Sequence, residues 1–240
     1  MKRKILISWS SGKDSAWALQ LLRRQEKYEI AGLITTLNSA FDRVAMHSTR
    51  RALVEMQAAA AGLPLTAIPL PWPCSNAEYE RIMREVCERA VRQGVTAIAF
   101  GDLFLADIRA YRERQLQDTG LEPLFPLWQM PTPGLAREMI EAGLRARLVC
   151  VDPAKLAPEF VGREFDEQLL ADLPPGADPC GENGEFHSFV YAGPMFDREI
   201  PVVRGERVER DGFWFCDVMP AEVAPGIGEG KRVAGSLRGR

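Results

Sequence analysis

Histidine is scarce in this sequence. Only His47 and His187 are present, so a histidine-rich metal centre is excluded. The five cysteines (Cys74, Cys87, Cys150, Cys180 and Cys216) are odd in number, and none belongs to a C-x-x-C pair. That argues against a disulfide framework and a structural zinc site and leaves the thiols as core or incidental groups. No apolar run approaches the roughly 18 residues that a membrane-spanning helix needs. The N-terminus "MKRKILISWSSGKD" starts basic, but its apolar run is too short for a signal peptide. An excess of positive charge is missing as well. The net charge of −3 gives no electrostatic case for nucleic acid or an anionic membrane as the main partner. These absences predict a cytoplasmic protein.

What is present suits a folded α/β chain. The length of 240 residues, with 46% hydrophobic, allows one large domain or two small ones with a substantial core. "KILISW" (4–9) reads as a buried parallel strand. Strand patterns recur at 29–36, 64–70, 95–102 and 122–128. Helical spacing lies between them at 14–25, 48–63, 75–94 and 106–120. Ser48 is a candidate cap and Gly62 a candidate stop for the second helix. Ser75 and Glu78 make a capping-box pattern for the third. The alternation predicts a Rossmann-like parallel sheet flanked by helices, with right-handed crossovers.

The character changes near "WQMPTPGL" (128–135), where two prolines and a glycine mark a domain junction. The expected division is 1–130, a smaller α+β domain at 131–222, and a flexible tail at 223–240. Within the second part, 134–143 and 158–173 read as helices and 145–151 as a strand. Residues 198–220 read as a β-hairpin turning at Asp211-Gly212. That exposed hairpin is where a homodimer would pair across a two-fold axis.

The chemistry concentrates after the first strand. Ser10, Ser11, Gly12, Lys13, Asp14 and Ser15 form a small, hydroxyl-rich corner leading into a helix. Free N–H groups at a helix start and the positive end of its dipole favour an anion. The hydroxyls and the Lys13 ammonium add donors, and Gly12 permits close approach. Together they make a phosphate cradle. The Walker A pattern fails, because Ile7 stands where its first glycine should be and Asp14 follows the lysine. The G-x-G-x-x-G pattern fails as well.

"SSGKDS" resembles the SGGKDS pyrophosphate loop of N-type ATP pyrophosphatases, with Ser11 in place of the usual glycine. "GENGEFHSFVYAGPMF" (181–196) is similar to a segment of the diphthine–ammonia ligase family. "FGDLFLADIRAYRERQ" with "GLEPLFPLW", and "AMHSTR" at 45–50, resemble further segments of that family. The resemblance covers most of the chain. It implies a pyrophosphatase-type ATP-binding domain followed by a smaller domain, and an enzyme that cleaves ATP to AMP and pyrophosphate while amidating a carboxylate with ammonia. In the family's named member the acceptor is diphthine, a modified histidine on elongation factor 2.

On that resemblance Ser10, Ser11, Gly12, Lys13 and Ser15 hold the β- and γ-phosphates, and Asp14 helps to hold Mg²⁺. Gly101 and Asp102, at the end of the fourth predicted strand, join the ATP site. Asp102 is a second metal candidate or else a helix cap. Thr35, Thr36 and Leu37 lie where the adenine would sit. His47 is a nucleotide contact or a helix-entry residue. Glu182, Asn183, Glu185, Phe186 and His187 would bind the acceptor, unless they form an ordinary solvated loop. Phe186 and Trp128 offer aromatic faces to its trimethylammonium group, and Glu185 or His187 takes a proton from the incoming ammonium. Catalytic roles fall to Lys13, Asp14, Glu185 and His187. The alternatives are the same chemistry on a small carboxylate or on tRNA, or a non-catalytic ATP sensor.

Overall fold

Ile5 and Ile7 are fully buried on one side of the first strand, and Leu6 packs into a second cluster on the other. A strand that is apolar on both faces belongs between layers of helices. This strand, β1 (Arg3–Ser8), lies at the centre of a six-stranded sheet. The computed structural model describes residues 2–44 and 48–221. His47 and the tail at 223–240 lie outside the described residues.

β2 (Tyr28–Asn38) pairs in parallel with β1 and, along its other edge, with β4 (Leu65–Leu70). β5 (Ala97–Ala99) pairs in parallel with the far side of β1, and β6 (Glu122–Leu124) pairs in parallel with β5. A two-residue strand, β3 (Arg43–Val44), adds antiparallel pairing at the end of β2. The order β4-β2-β1-β5-β6 therefore changes direction between β1 and β5. In such sheets the crevice beyond the carboxyl ends at that reversal is where ligands bind.

Helix α1 (Lys13–Arg23) turns Ala16, Leu19 and Leu22 into the core at helical spacing, with Trp17 beside them. α2 (Arg51–Ala60), α3 (Asn76–Arg92) and α4 (Ala106–Leu116) complete the first layer set. Ser75 caps α3 by accepting the Glu78 N–H at 3.2 Å. The second half contributes α5 (Thr132–Glu141), β7 (Arg145–Val151), α6 (Glu167–Asp172), β8 (Phe186–Ala192), β9 (Val202–Arg210) and β10 (Phe213–Pro220). Its four strands form an antiparallel sheet in the order β8-β7-β10-β9. The β9–β10 turn uses Asp211 at φ 52° and Gly212 at φ 80°, the paired positive angles of a two-residue hairpin. One core cluster runs from Ile5 and Trp17 to Leu148 and Phe186, so the two sheets share it.

Four expectations need correction. Ser48 does not cap α2. It sits at φ 52°, and the helix enters through Arg50, which donates to Asp217 on β10. The segment 158–173 is not one helix. It is a 3₁₀ turn at Pro158–Phe160 and the short α6, which Asp166 caps through the Leu169 N–H. Between them the backbone ladders onto β7: Leu148 donates to Arg163, Gly162 to Leu148 and Phe165 to Ala146. The last predicted strand of the first sheet stops at Leu124, because β5 offers only three residues to pair with. Asp102 is not a helix cap, since α4 begins four residues beyond it with Leu105 at the cap position.

Candidate active site

The corner after β1 is held by its own hydroxyls. Ser15 Oγ donates to the Gly12 carbonyl at 3.0 Å, accepts the Ser10 N–H and lies 3.1 Å from Ser10 Oγ. Ser11 adopts φ 71°, a left-handed conformation that costs a non-glycine residue about 1 kcal/mol or more. Its buried hydroxyl pairs with Thr49 Oγ1 at 2.8 Å. Its carbonyl accepts the Val190 N–H and the Gln57 side-chain amide. Gln57, fully buried, also accepts the Trp9 indole N–H and donates to the Val190 carbonyl. One amide thus ties β1, the corner and β8 together.

A cavity of about 360 Å³ opens at the carboxyl ends of β1, β2 and β5, within the usual size range for small-ligand pockets. Ser10, Asp14 and Ser15 line it from the corner, and Thr35 and Thr36 line it from β2. Gly101 and Asp102 close it from β5. A β-carbon on Gly101 would stand 2.8 Å from the Asp14 carbonyl carbon and the Ser15 nitrogen. Only glycine lets β5 approach the start of α1 this closely.

Three carboxylates face this cavity: Asp14, Asp102 and Glu182. Burial pushes all three carboxyls above the ordinary range, and Asp14 repels both of the others. Asp102 lies 3.6 Å from the Arg112 guanidinium, and its Oδ2 is buried with no hydrogen bond. Glu182 Oε1 accepts the Leu103 and Phe104 N–H groups at 2.8 and 3.2 Å, so the loop after β5 orients it. Among the described residues no group of three or more His, Cys, Asp or Glu could hold a metal ion by itself.

Lys13 turns away from the cavity. It is only 2% exposed, and its ammonium donates to both Asp14 oxygens at 2.9 Å and to the Cys180 carbonyl. The Phe165 and Phe186 rings flank it at 5.8 and 5.4 Å. Burial works against its charge, but Asp14, Cys180 and Glu182 together outweigh that and hold the ammonium above its ordinary range. Its backbone N–H donates to Ser188 Oγ at 3.2 Å. Glu185, 3% exposed, accepts the Asp178 N–H and the Asn183 side-chain amide, and its Oε2 has no partner.

Residues 1–123 match a family model described as the diphthamide synthase N-terminal domain, and residues 132–222 match its C-terminal counterpart. The chain belongs to the diphthamide synthase family. It is 30% identical over 151 residues to the Homo sapiens protein named diphthine–ammonia ligase, covering 60% of this chain and 56% of that one. A Schizosaccharomyces pombe protein of the same name is 28% identical over 124 residues, 50% of this chain and 20% of its own. A Danio rerio one is 34% identical over 93 residues, 37% of this chain and 36% of its own. The matched stretches span less than two thirds of these curated relatives.

In this diphthamide synthase family chain, the cavity gathers Ser10, Asp14, Ser15, Thr35 and Thr36 from the first sheet's leading edge. It adds Gly101, Asp102, Glu182 and His187. Ser11, Gly12 and Lys13 shape the corner without lining the cavity. Leu37 is a fully buried core residue. Asn183 and Glu185 organise their own loop, and the Phe186 ring is occupied by Lys13. Trp128 has the Arg109 guanidinium over its ring at 4.7 Å. Sequence reasoning missed Gln57 and Arg112. The only hint was α4 itself, which buries Leu116 alone and so has a polar face free to border a cleft.

Proposed function

We propose that this protein is an ATP-dependent, AMP-forming ligase that converts a carboxylate into an amide with ammonia. The observation that carries this reading is the cavity at the β1–β5 reversal, with the serine corner and the start of α1 at one end and three carboxylates around it. The diphthamide synthase family and relatives named diphthine–ammonia ligase support it, and diphthine is the acceptor their name suggests.

Ser10, Ser15 and the N–H groups of Asp14 and Ser15 at the start of α1 would receive the β- and γ-phosphates of ATP. The adenine would lie along Thr35 and Thr36. An acceptor carboxylate oxygen attacks the α-phosphorus and forms an acyl-phosphate bond. The bond from the α-phosphorus to the bridging oxygen breaks, and pyrophosphate leaves. Ammonia then attacks the acyl carbon, the bond from that carbon to oxygen breaks, and AMP leaves. Glu182 and His187, which face the cavity, would take the proton that ammonium must lose; Glu185 is enclosed in its own loop. Lys13 acts by fixing the corner against the Cys180 carbonyl.

Asp14 and Asp102 fit Mg²⁺. Both border the cavity, burial raises both, and Asp102 Oδ2 is buried without a hydrogen bond, 3.6 Å from the Arg112 guanidinium. With one or two carboxylates available, the ion would complete its shell from phosphate and water and would neutralise charge on the departing pyrophosphate. We place the division between nucleotide and acceptor portions near residue 131, and the reaction in the cytoplasm.

Pyrophosphate–ATP exchange tests this directly. Labelled pyrophosphate should enter ATP when a carboxylate acceptor is present, without ammonium. Exchange that ignores the acceptor would contradict the adenylation step.

A further inference from the structure

Among the described residues, β9 forms the free edge of the second sheet. Its exposed stretch reads Glu206-Arg207-Val208-Glu209-Arg210. Val208 is 42% exposed. No ion pair within the described residues involves Glu206, Glu209 or Arg210. Arg210 is nonetheless held in place, by its stacking on Phe215 at 4.7 Å and its bond to Ser48 Oγ. An exposed edge strand of nine residues is an open template for pairing.

Two copies related by a two-fold axis can pair β9 with β9 only in registers that bring residues of one face opposite each other. Centred on Glu206, the pairing sets Glu206 against Glu206. Centred on Arg207, it sets Arg207 against Arg207 and Arg204 against Arg210. Both oppose like charges, which is destabilising. Centred on Gly205, it makes only one kind of complementary pair, Arg204 against Glu206. Centred on Val208, it sets Val208 against Val208, Arg207 against Glu209, and Glu206 against Arg210. Every charged pair is then complementary, each occurs twice by symmetry, and the exposed valine is covered.

We propose that β9 pairs antiparallel with β9 of a second copy across a two-fold axis at Val208, joining the two four-stranded sheets into one of eight. The closed symmetry uses up the free edge on both chains. It also supplies the carboxylate that Arg210 lacks. Arg210 stands with Arg43, Arg50 and Arg204 around a cleft of about 670 Å³ whose acidic lining residues are Glu206 and Asp217. In the pair, Glu206 of the partner subunit reaches Arg210. This inference does not rest on the proposed ligase activity.

Sedimentation equilibrium of the full chain, without nucleotide, tests it. The protein should be dimeric, with association weakened about tenfold or more in favour of monomer by either Glu206→Arg or Arg210→Glu, since each opposes like charges twice. An equimolar mixture of the two single variants should dimerise again, because each then offers the other its complement. Both positions are exposed, and matching circular dichroism spectra will confirm that the variants fold. A monomer throughout the micromolar to millimolar range would overturn the proposal. So would a dimer that neither variant weakens, or single variants that stay monomeric when mixed.

Discussion

Lys13 shows how a residue type suggested by a motif can serve the motif from behind. Its ammonium is enclosed by Asp14, the Cys180 carbonyl and two rings. Lys13→Met fills the same space but leaves Asp14 and the carbonyl unpaired, at a cost of about 3 kcal/mol. Adding Asp14→Asn should recover part of that loss, and urea unfolding of both variants reads the coupling. Gln57→Leu strands the Trp9 indole N–H and leaves the Ser11 and Val190 carbonyls short of a donor. It should cost about 2–3 kcal/mol in the same measurement. Ser10, Asp14 and Ser15 were legible in the sequence because a strand, a tight corner and a helix start place them by local geometry alone. Gln57 and Arg112 were not, because their roles depend on partners brought close only by the tertiary fold.

Elements were legible where burial follows one simple period. β7 alternates or runs apolar along its whole length, and it has the expected bounds, Arg145–Val151. The stretch 158–173 shows how the same logic fails. Val161, Phe165 and Leu169 are all buried at four-residue spacing, the mark of a helix. Here the chain buries them by laddering onto β7 and then turning into α6. Spacing records which residues are buried, and more than one backbone path can bury them. The capping of α3 is a purely local effect. Ser75→Ala removes the acceptor of the Glu78 N–H and should cost about 1 kcal/mol, measured by urea unfolding.

At the scale of the molecule, charges bind the two sheets and load the cavity with opposite pH signs. Burial pushes the Asp217 carboxyl up, but hydrogen bonds from Arg50 and Arg43 outweigh it and hold it below the ordinary range. Its contribution is present above the ordinary carboxylate pKa and is lost as pH falls through the depressed folded value. Asp217→Asn should therefore lower the melting temperature at neutral pH, and the difference should close in strong acid. Asp102 behaves oppositely. Its folded pKa is raised by burial, so stability falls as pH climbs from the ordinary carboxylate range through the raised value. Asp102→Asn should flatten that loss in melting temperature. The doubly wound order of the first sheet was legible in the strand–helix alternation, because parallel neighbours need helical crossovers. The shared core with the second sheet was not, since sequence spacing carries no record of which faces meet.

The most direct measurement is product analysis with ATP labelled at the α-phosphate, together with Mg²⁺, ammonium and diphthine-bearing elongation factor 2. Labelled AMP should form only when acceptor and ammonium are both present. Labelled ADP under the same conditions would place the attack on the γ-phosphorus and contradict it.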